Sequence, residues 1–170
     1  YSVYGTWTTD AYTIRYNAGT GATGNAYNAA TTVTVETTNY SLPTTVEGKF
    51  TKAGYKFIGW ALNASSYEVL GTTVNIDDLV KVNGYANKTI NLYAIWTIHD
   101  NYTLNVVVSD DQGAQTLNAA TIVSVGGTNV NSTTKTGVRY DAPVVVRVTN
   151  VQAGYHFVNW TKNSTEVSTS

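Results

Sequence analysis

The sequence predicts a mostly β protein of α+β type, made of small modules in tandem with at most one short helix each. Three observations predict it. Of the 170 residues, 42% are apolar and only 12% charged, with Thr, Val and Tyr abundant, 14 Gly and two Pro. β-branched and aromatic residues suit pleated strands, and glycine suits turns. Short runs alternate apolar and polar residues, the period of a half-buried strand. Finally, AGYKFIGW at residues 53–60 recurs as AGYHFVNW at 153–160, identical at five of eight positions. A catalytic constellation is normally built once per chain, whereas a packing unit can be copied.

The elements follow in order. Val3-Tyr4-Gly5-Thr6-Trp7 has the form aliphatic, Tyr, small, any, Trp, which returns as Leu92-Tyr93-Ala94-Ile95-Trp96. Each copy is followed by a strand opening Tyr-Thr-aliphatic, at Tyr12-Thr13-Ile14 and Tyr102-Thr103-Leu104. Tyr12, Ile14 and Tyr16 alternate with Thr13 and Arg15 as one strand. Residues 17–28 are rich in Gly, Ala, Asn and Thr and read as a loop. Thr31 to Thr37 alternates around Val33 and Val35 as a second strand, and Pro43 ends regular pairing beyond it. Lys56 to Trp60 is a third strand. Asp77 and Asp78 suit a helix start, with Leu79, Val80 and Val82 as its apolar side. Leu92 to Trp96 closes the module. The second module repeats the plan with strands at Tyr102–Val108, Ile122–Val125, Val144–Val148 and Tyr155–Trp160.

A period of roughly 90 residues is too long for a solenoid turn and suits an array of small domains. Residues 1–10 then read as the last strand of a preceding repeat, 11–98 as a complete module, and 99–170 as a second, divergent repeat lacking its final strand. These boundaries predict a longer parent array.

Composition narrows the function. Ten Lys and Arg against eleven Asp and Glu give a net charge of −1, and the basic residues form no run, so nucleic acid is not an expected partner. No stretch approaches the about 20 apolar residues of a membrane span, so membrane insertion is not expected. Neither end reads as a signal peptide, so a secreted parent would carry one outside these residues. The absence of cysteine excludes disulfides and thiolate metal sites.

Gly19, Gly21 and Gly24 spell GxGxxG, but nucleotide binding needs a helix N-terminus directly after the glycines. The following NAYNAATTVTVETT lacks helical periodicity, so a glycine-rich loop is expected. Asp110, Asp111 and Gly113 supply too few oxygens for calcium and read as a turn. His99 falls in the junction, and His156 takes the place of Lys56, a position expected to face solvent. No nucleophile, base and orienting group are evident together. No catalytic, cofactor-binding or metal-binding residue is therefore assigned, and the chain is expected not to be an enzyme. Trp7, Trp60, Trp96 and Trp160 occupy repeated positions beside aliphatic residues and are expected in cores. Tyr27, Tyr40, Tyr67, Tyr85 and Tyr140 lie outside the repeated motifs and are the candidate ligand-binding residues.

The order YTIRYNAGTG, LPTTVEGKFTKAGYKFIGWAL and NKTINLYAIWT resembles the Listeria-Bacteroides repeat, the B-repeat of internalins and other bacterial surface proteins. The match covers about residues 12–97, and the second module resembles a divergent copy. The resemblance implies a β-grasp-like module, extracellular, at the cell surface or wall of a Gram-positive bacterium or secreted, acting as a spacer or adhesion stalk. The alternative is a module that binds a carbohydrate or host-surface protein through exposed tyrosines. An open edge in the second repeat, matched by the strand type of residues 1–9, predicts head-to-tail strand exchange between molecules.

One further expectation concerns AGYKFIGW. In a regular strand Trp60 would face away from Tyr55 and Phe57. Gly59 and Asn159, the residue types that most readily take positive φ, precede the two tryptophans, so a bulge is expected there that turns each Trp onto the core.

Overall fold

The structure, a computed structural model, describes residues 1–116 and 119–168. Two compact units divide at Ile98 and His99. Strands make up 41% of the chain and helix 5%, so the mostly β class holds.

Unit 1 contains β1 (Thr13–Asn17), β2 (Tyr27–Asn28), β3 (Tyr40–Ser41), β4 (Tyr55–Ala61), β5 (Thr73–Val74), α1 (Ile76–Asn83) and β6 (Thr89–Ile98). Its main sheet has the order β2-β1-β6-β4. β6 lies parallel to β1, with Ile14 opposite Ile90 and Tyr16 opposite Leu92, and antiparallel to β4. β3 and β5 form a separate short ribbon. Alternation places Ile14, Tyr16, Ile90, Leu92 and Ala94 on one face, where all are buried. Ile76, Leu79 and Val80 of α1 join the same cluster, as do Leu42, Val46, Phe50 and Trp60.

Local chemistry sets the ends of α1. Asp77 and Asp78 occupy the first turn, where the helix dipole favours negative charge. Lys81 Nζ lies 2.6 Å from Asp77 one turn later. Gly84, at φ +87°, ends the helix and donates its N–H to Val80 O at 2.8 Å.

The bulge forms in β4. Phe57 pairs with Trp96 and Gly59 with Ile95, leaving Ile58 unopposed and 46% exposed. Gly59 has φ +145°, and a Cβ there would lie 2.2 Å from Val69 Cγ1. The extra residue turns Trp60 onto the face of Phe57, at a ring separation of 5.2 Å. Trp60 is buried, and its indole N–H donates to Pro43 O at 2.7 Å.

Unit 2 contains β7 (Tyr102–Asn105), β8 (Val108–Ser109), β9 (Gln115–Thr116), β10 (Ala120–Val125), β11 (Thr128–Ser132), β12 (Thr134–Val138), β13 (Val144–Val148), β14 (Trp160–Lys162) and β15 (Thr165–Ser168). β11-β10-β13 form a three-stranded sheet, and β12-β7, β8-β9 and β14-β15 form two-stranded ones. Ile122, Val125 and Val138 form its buried cluster, with Leu104, Val106, Val130, Ala142 and Val146 packed around them. Against the fourteen buried residues of the unit 1 cluster this is a small core.

Four expectations are corrected. Residues 31–37 are not a strand: only Val33 bridges, to Tyr12, and Thr37 Oγ1 accepts from Thr34 N–H at 3.2 Å to hold a turn. A threonine hydroxyl that bonds its own backbone competes with a ladder despite the residue's β propensity. Residues 17–28 are not wholly loop, because Tyr27 and Asn28 pair with Tyr16 and Arg15. Among the described residues the second octapeptide opens on a turn at Ala153 and Gly154 and joins no strand before Trp160, and Asn159 keeps negative φ, so the bulge is absent there. It is the partner strand that creates a bulge, and among the described residues none pairs with 155–159. Trp7 is 99% exposed and residues 1–11 carry no strand, so that tryptophan is in no core of the described residues.

Gly59→Ala should destabilise unit 1 by about 2–4 kcal/mol, because positive φ and the Val69 contact both penalise a Cβ. Asn159→Ala, at a negative φ, should cost at most about 1 kcal/mol. Urea unfolding of both variants measures the difference.

Candidate functional site

A tyrosine can present its ring to a ligand only if the fold leaves it uncovered. The five candidates differ in this. Tyr27 is half-buried, its ring centroid 5.1 Å from that of Tyr16 and 5.6 Å from that of Phe50, with Lys49 Nζ 5.4 Å from its centroid. Tyr40 is half-buried too, and its hydroxyl lies 3.5 Å from that of Tyr16. β1, β2 and β3 thus bring Tyr27 and Tyr40 together around the buried Tyr16. Burial pushes the Tyr16 hydroxyl well above the usual phenol range, reinforced by its contact with Tyr40 and by the nearby Tyr27. Tyr27 shifts the same way, chiefly through burial.

Tyr85 belongs to the end of α1. Its hydroxyl donates to Asp77 Oδ1 at 3.1 Å, and its carbonyl accepts from Tyr12 Oη at 3.3 Å and Lys88 Nζ at 2.9 Å. The hydrogen bond to Asp77 raises the Tyr85 phenol, and the Lys81 ammonium holds the Asp77 carboxyl below its ordinary range. This is a surface network that fastens the helix end. Tyr140, in unit 2, lies 6.3 Å from the Tyr102 ring, which in turn lies 5.0 Å from His99.

Tyr67 is 98% exposed and borders a cleft of about 300 Å³ lined by Thr20, Lys52, Ser66 and Trp96. The half-buried Trp96 is fixed there by its indole N–H, which donates to Ala18 O at 2.8 Å. Lys52 Nζ donates to Thr20 O at 2.9 Å and sits 4.2 Å from the Tyr55 ring centroid. One aromatic face, one exposed phenol and one ammonium group converge here. Of its lining residues only Tyr67 stood out in the sequence as a candidate ligand-binding residue. Trp96 is a repeated motif position, and nothing local reveals that Lys52 and Thr20 meet across 32 residues.

The other motifs resolve into backbone roles. Gly19, Gly21 and Gly24 all have positive φ, and a Cβ on Gly19 would fall 2.1 Å from Ala94 O. Loop and β2 follow them, with no helix. Asp110 Oδ1 accepts from Gln112 N–H and Ala114 N–H at 3.0 and 2.8 Å, closing the β8–β9 turn. Asp77 and Asp78 lie in the first turn of α1, and His156 is exposed. Among the described residues no group of three or more His, Cys, Asp or Glu could hold a metal ion, and no helix is long and apolar enough to cross a membrane. In unit 2 a cleft of about 480 Å³ is lined by Lys135, Arg139 and Asp141 among others, with Arg139 Nε 2.8 Å from Asp141 Oδ1.

The family model of the Listeria-Bacteroides repeat domain matches residues 12–95 and 121–170, more than half of the chain. No curated protein and no solved structure matches it. Repeats of this family are typical of extracellular surface proteins.

The raised Tyr16 pKa sets a pH dependence. The folded state favours the neutral phenol, so this contribution is complete below the unfolded value of about 10 and is lost as pH rises above it. Stability should fall above pH 10 with a slope approaching about 1.4 kcal/mol per pH unit. Tyr16→Phe should flatten that decline and change neutral-pH stability by at most about 1 kcal/mol, because a 3.5 Å hydroxyl contact is weak. Urea titrations from pH 7 to 11 measure both.

Proposed function

Because the chain belongs to the Listeria-Bacteroides repeat family, we propose that it is a non-enzymatic tandem module of a bacterial cell-surface or secreted protein, acting as a spacer or adhesion stalk. The supporting observation is how the motif aromatics of unit 1 are used. Phe57, Trp60 and Trp96 pack on one another, with ring separations of 5.2 and 5.9 Å, and both indole N–H groups are satisfied by backbone carbonyls. Every buried side chain among the described residues is hydrophobic. These residues hold a fold together and present no convergent polar groups at a reacting centre.

We read the central parallel β1–β6 pair, flanked by β2 and β4, as a β-grasp-like arrangement. Such a module on a Gram-positive cell wall would work mechanically, each unit keeping its own core. Three residues separate β6 from β7, which leaves little linker freedom. Small-angle scattering of the chain should give a narrow distribution of distances between the two units. A distribution like that of a flexible coil would overturn the spacer reading.

A second reading rests on the cleft beside Tyr67: an exposed ring next to Lys52, Thr20 and Ser66 suits stacking on a sugar or on a host-protein side chain. A glycan array with the unaltered chain and with Tyr67→Ala tests it. Binding that falls at least about tenfold in Tyr67→Ala, with unchanged unfolding, would favour this reading.

A further inference from the structure

The cleft beside Tyr67 is walled by two loops of unit 1, one carrying Thr20 between β1 and β2, the other carrying Ala64 to Tyr67 after β4. Thr20 Oγ1 donates to Ala64 O at 3.3 Å, which ties the walls together across 44 residues. The second wall is also braced from within. Asn63 Oδ1 accepts from Ser65 N–H at 2.9 Å, and Ser66 Oγ accepts from Glu68 N–H at 3.0 Å. Tyr67 lies between these side-chain-closed turns, so its backbone is held while its ring stays in water.

Three contacts set the direction of the Lys52 ammonium. It donates to Thr20 O at 2.9 Å, lies 4.2 Å from the Tyr55 ring centroid, and passes 3.7 Å from where a Cβ on Gly21 would stand. A free lysine must give up rotamer freedom to hold an anion, whereas here the fold has already restricted it. An ammonium carries three donors, and Thr20 O takes one of them. Among the described residues no Asp or Glu lines the cleft, and no carboxylate pairs with Lys52. The cleft of unit 2 differs, because there Asp141 compensates Arg139.

The repeat itself does not call for this cation. The residue before Ala-Gly-Tyr is Lys52 in one octapeptide and Gln152 in the other. A positive charge that the motif can do without, held in place between hydroxyls and two aromatic rings and left without a carboxylate, is suited to an anionic ligand with an apolar face.

We propose, resting on the second reading above, that this cleft binds one uronate residue of an acidic polysaccharide. Its carboxylate accepts from Lys52 Nζ, a charge-assisted hydrogen bond stronger than a neutral one. The C–H face of the pyranose lies against Trp96 and Tyr67. Sugar hydroxyls donate to the lone pairs that Thr20 Oγ1 keeps after giving its proton to Ala64 O. A volume of about 300 Å³ is at the lower end for ligand pockets, room for one sugar ring whose neighbours run out into solvent. A glutamate side chain could also reach Lys52, but its flexible stem offers no flat face to the two aromatic rings.

Nitrogen-15 NMR titrations of the full chain, followed at the Trp96 indole N–H and the Tyr67 amide, test this with three probes. They are a tetrasaccharide alternating glucuronate with N-acetylglucosamine, the same tetrasaccharide with its carboxylates reduced to alcohols, and a tetraglutamate peptide. The acidic sugar should bind at least about tenfold more tightly than the reduced one, and its affinity should fall as ionic strength rises. Lys52→Gln, which installs the side chain of the second repeat, should abolish that difference while leaving the binding of the reduced sugar and the urea midpoint unchanged. Equal affinity for the two sugars, with loss of both in Tyr67→Ala, overturns the uronate assignment and leaves the sugar-binding reading standing. An acidic-sugar affinity that Lys52→Gln does not change also overturns it, as does tetraglutamate binding as tightly as the acidic sugar. If neither sugar shifts either signal at millimolar concentration, the uronate assignment and the sugar-binding reading fall together.

Discussion

The structure of unit 1 depends on one backbone event, the bulge at Ile58 and Gly59. Without it, Trp60 would point away from Phe57 and the largest buried side chain of the unit would face the other side of the sheet. The bulge requires positive φ at Gly59 and the absence of a Cβ there, because Val69 occupies the space a Cβ would need. It also requires β6, because an extra residue is defined only against a regular partner. Trp60 then contacts Tyr16, Phe50 and Phe57 at ring separations of 4.7, 6.3 and 5.2 Å, which joins the β1, β4 and loop contributions into one cluster. Its N–H is satisfied by Pro43, so burial leaves no orphaned donor.

Unit 2 shows what the same motif does without that partner. Its octapeptide has the residues for the aromatic pair, and the pair forms, yet Tyr155 and Val158 remain 49% and 66% exposed. Ile58, the counterpart of Val158, is 46% exposed even in unit 1, so this is not a position that β6 covers.

Electrostatics plays a smaller part. The Asp77–Lys81, Lys88–Asp10 and Arg139–Asp141 pairs are all exposed, and surface pairs of this kind contribute little. They set helix ends and turns. The exception is Tyr16, whose buried hydroxyl ties the core to the protonation state of a phenol. The division suits a surface module: its rigidity comes from aromatic packing, which salt does not screen, while its charged groups remain at the boundary.

The sequence by itself determined the β class, the alternation of Tyr12, Ile14 and Tyr16, the helix opened by Asp77 and Asp78, and the bulge before Trp60. These are local matters: a period of two, a favourable dipole end, and a φ that glycine tolerates best. It also carried the family, through the repeated Gly-Tyr-x-Phe and Leu-Tyr-Ala-x-Trp motifs. Tertiary structure alone decided that β6 runs parallel to β1 from 76 residues away, that Tyr27 and Tyr40 gather around Tyr16, and that Lys52, Tyr67 and Trp96 meet at one cleft. It also overruled the strand expected at residues 31–37 and the one expected at 155–159. The reason is common to both. A propensity is a property of a segment, whereas a strand exists only when another segment offers its backbone. Among the described residues Val33 finds a single bridge to Tyr12, and the second octapeptide finds no partner before Trp160.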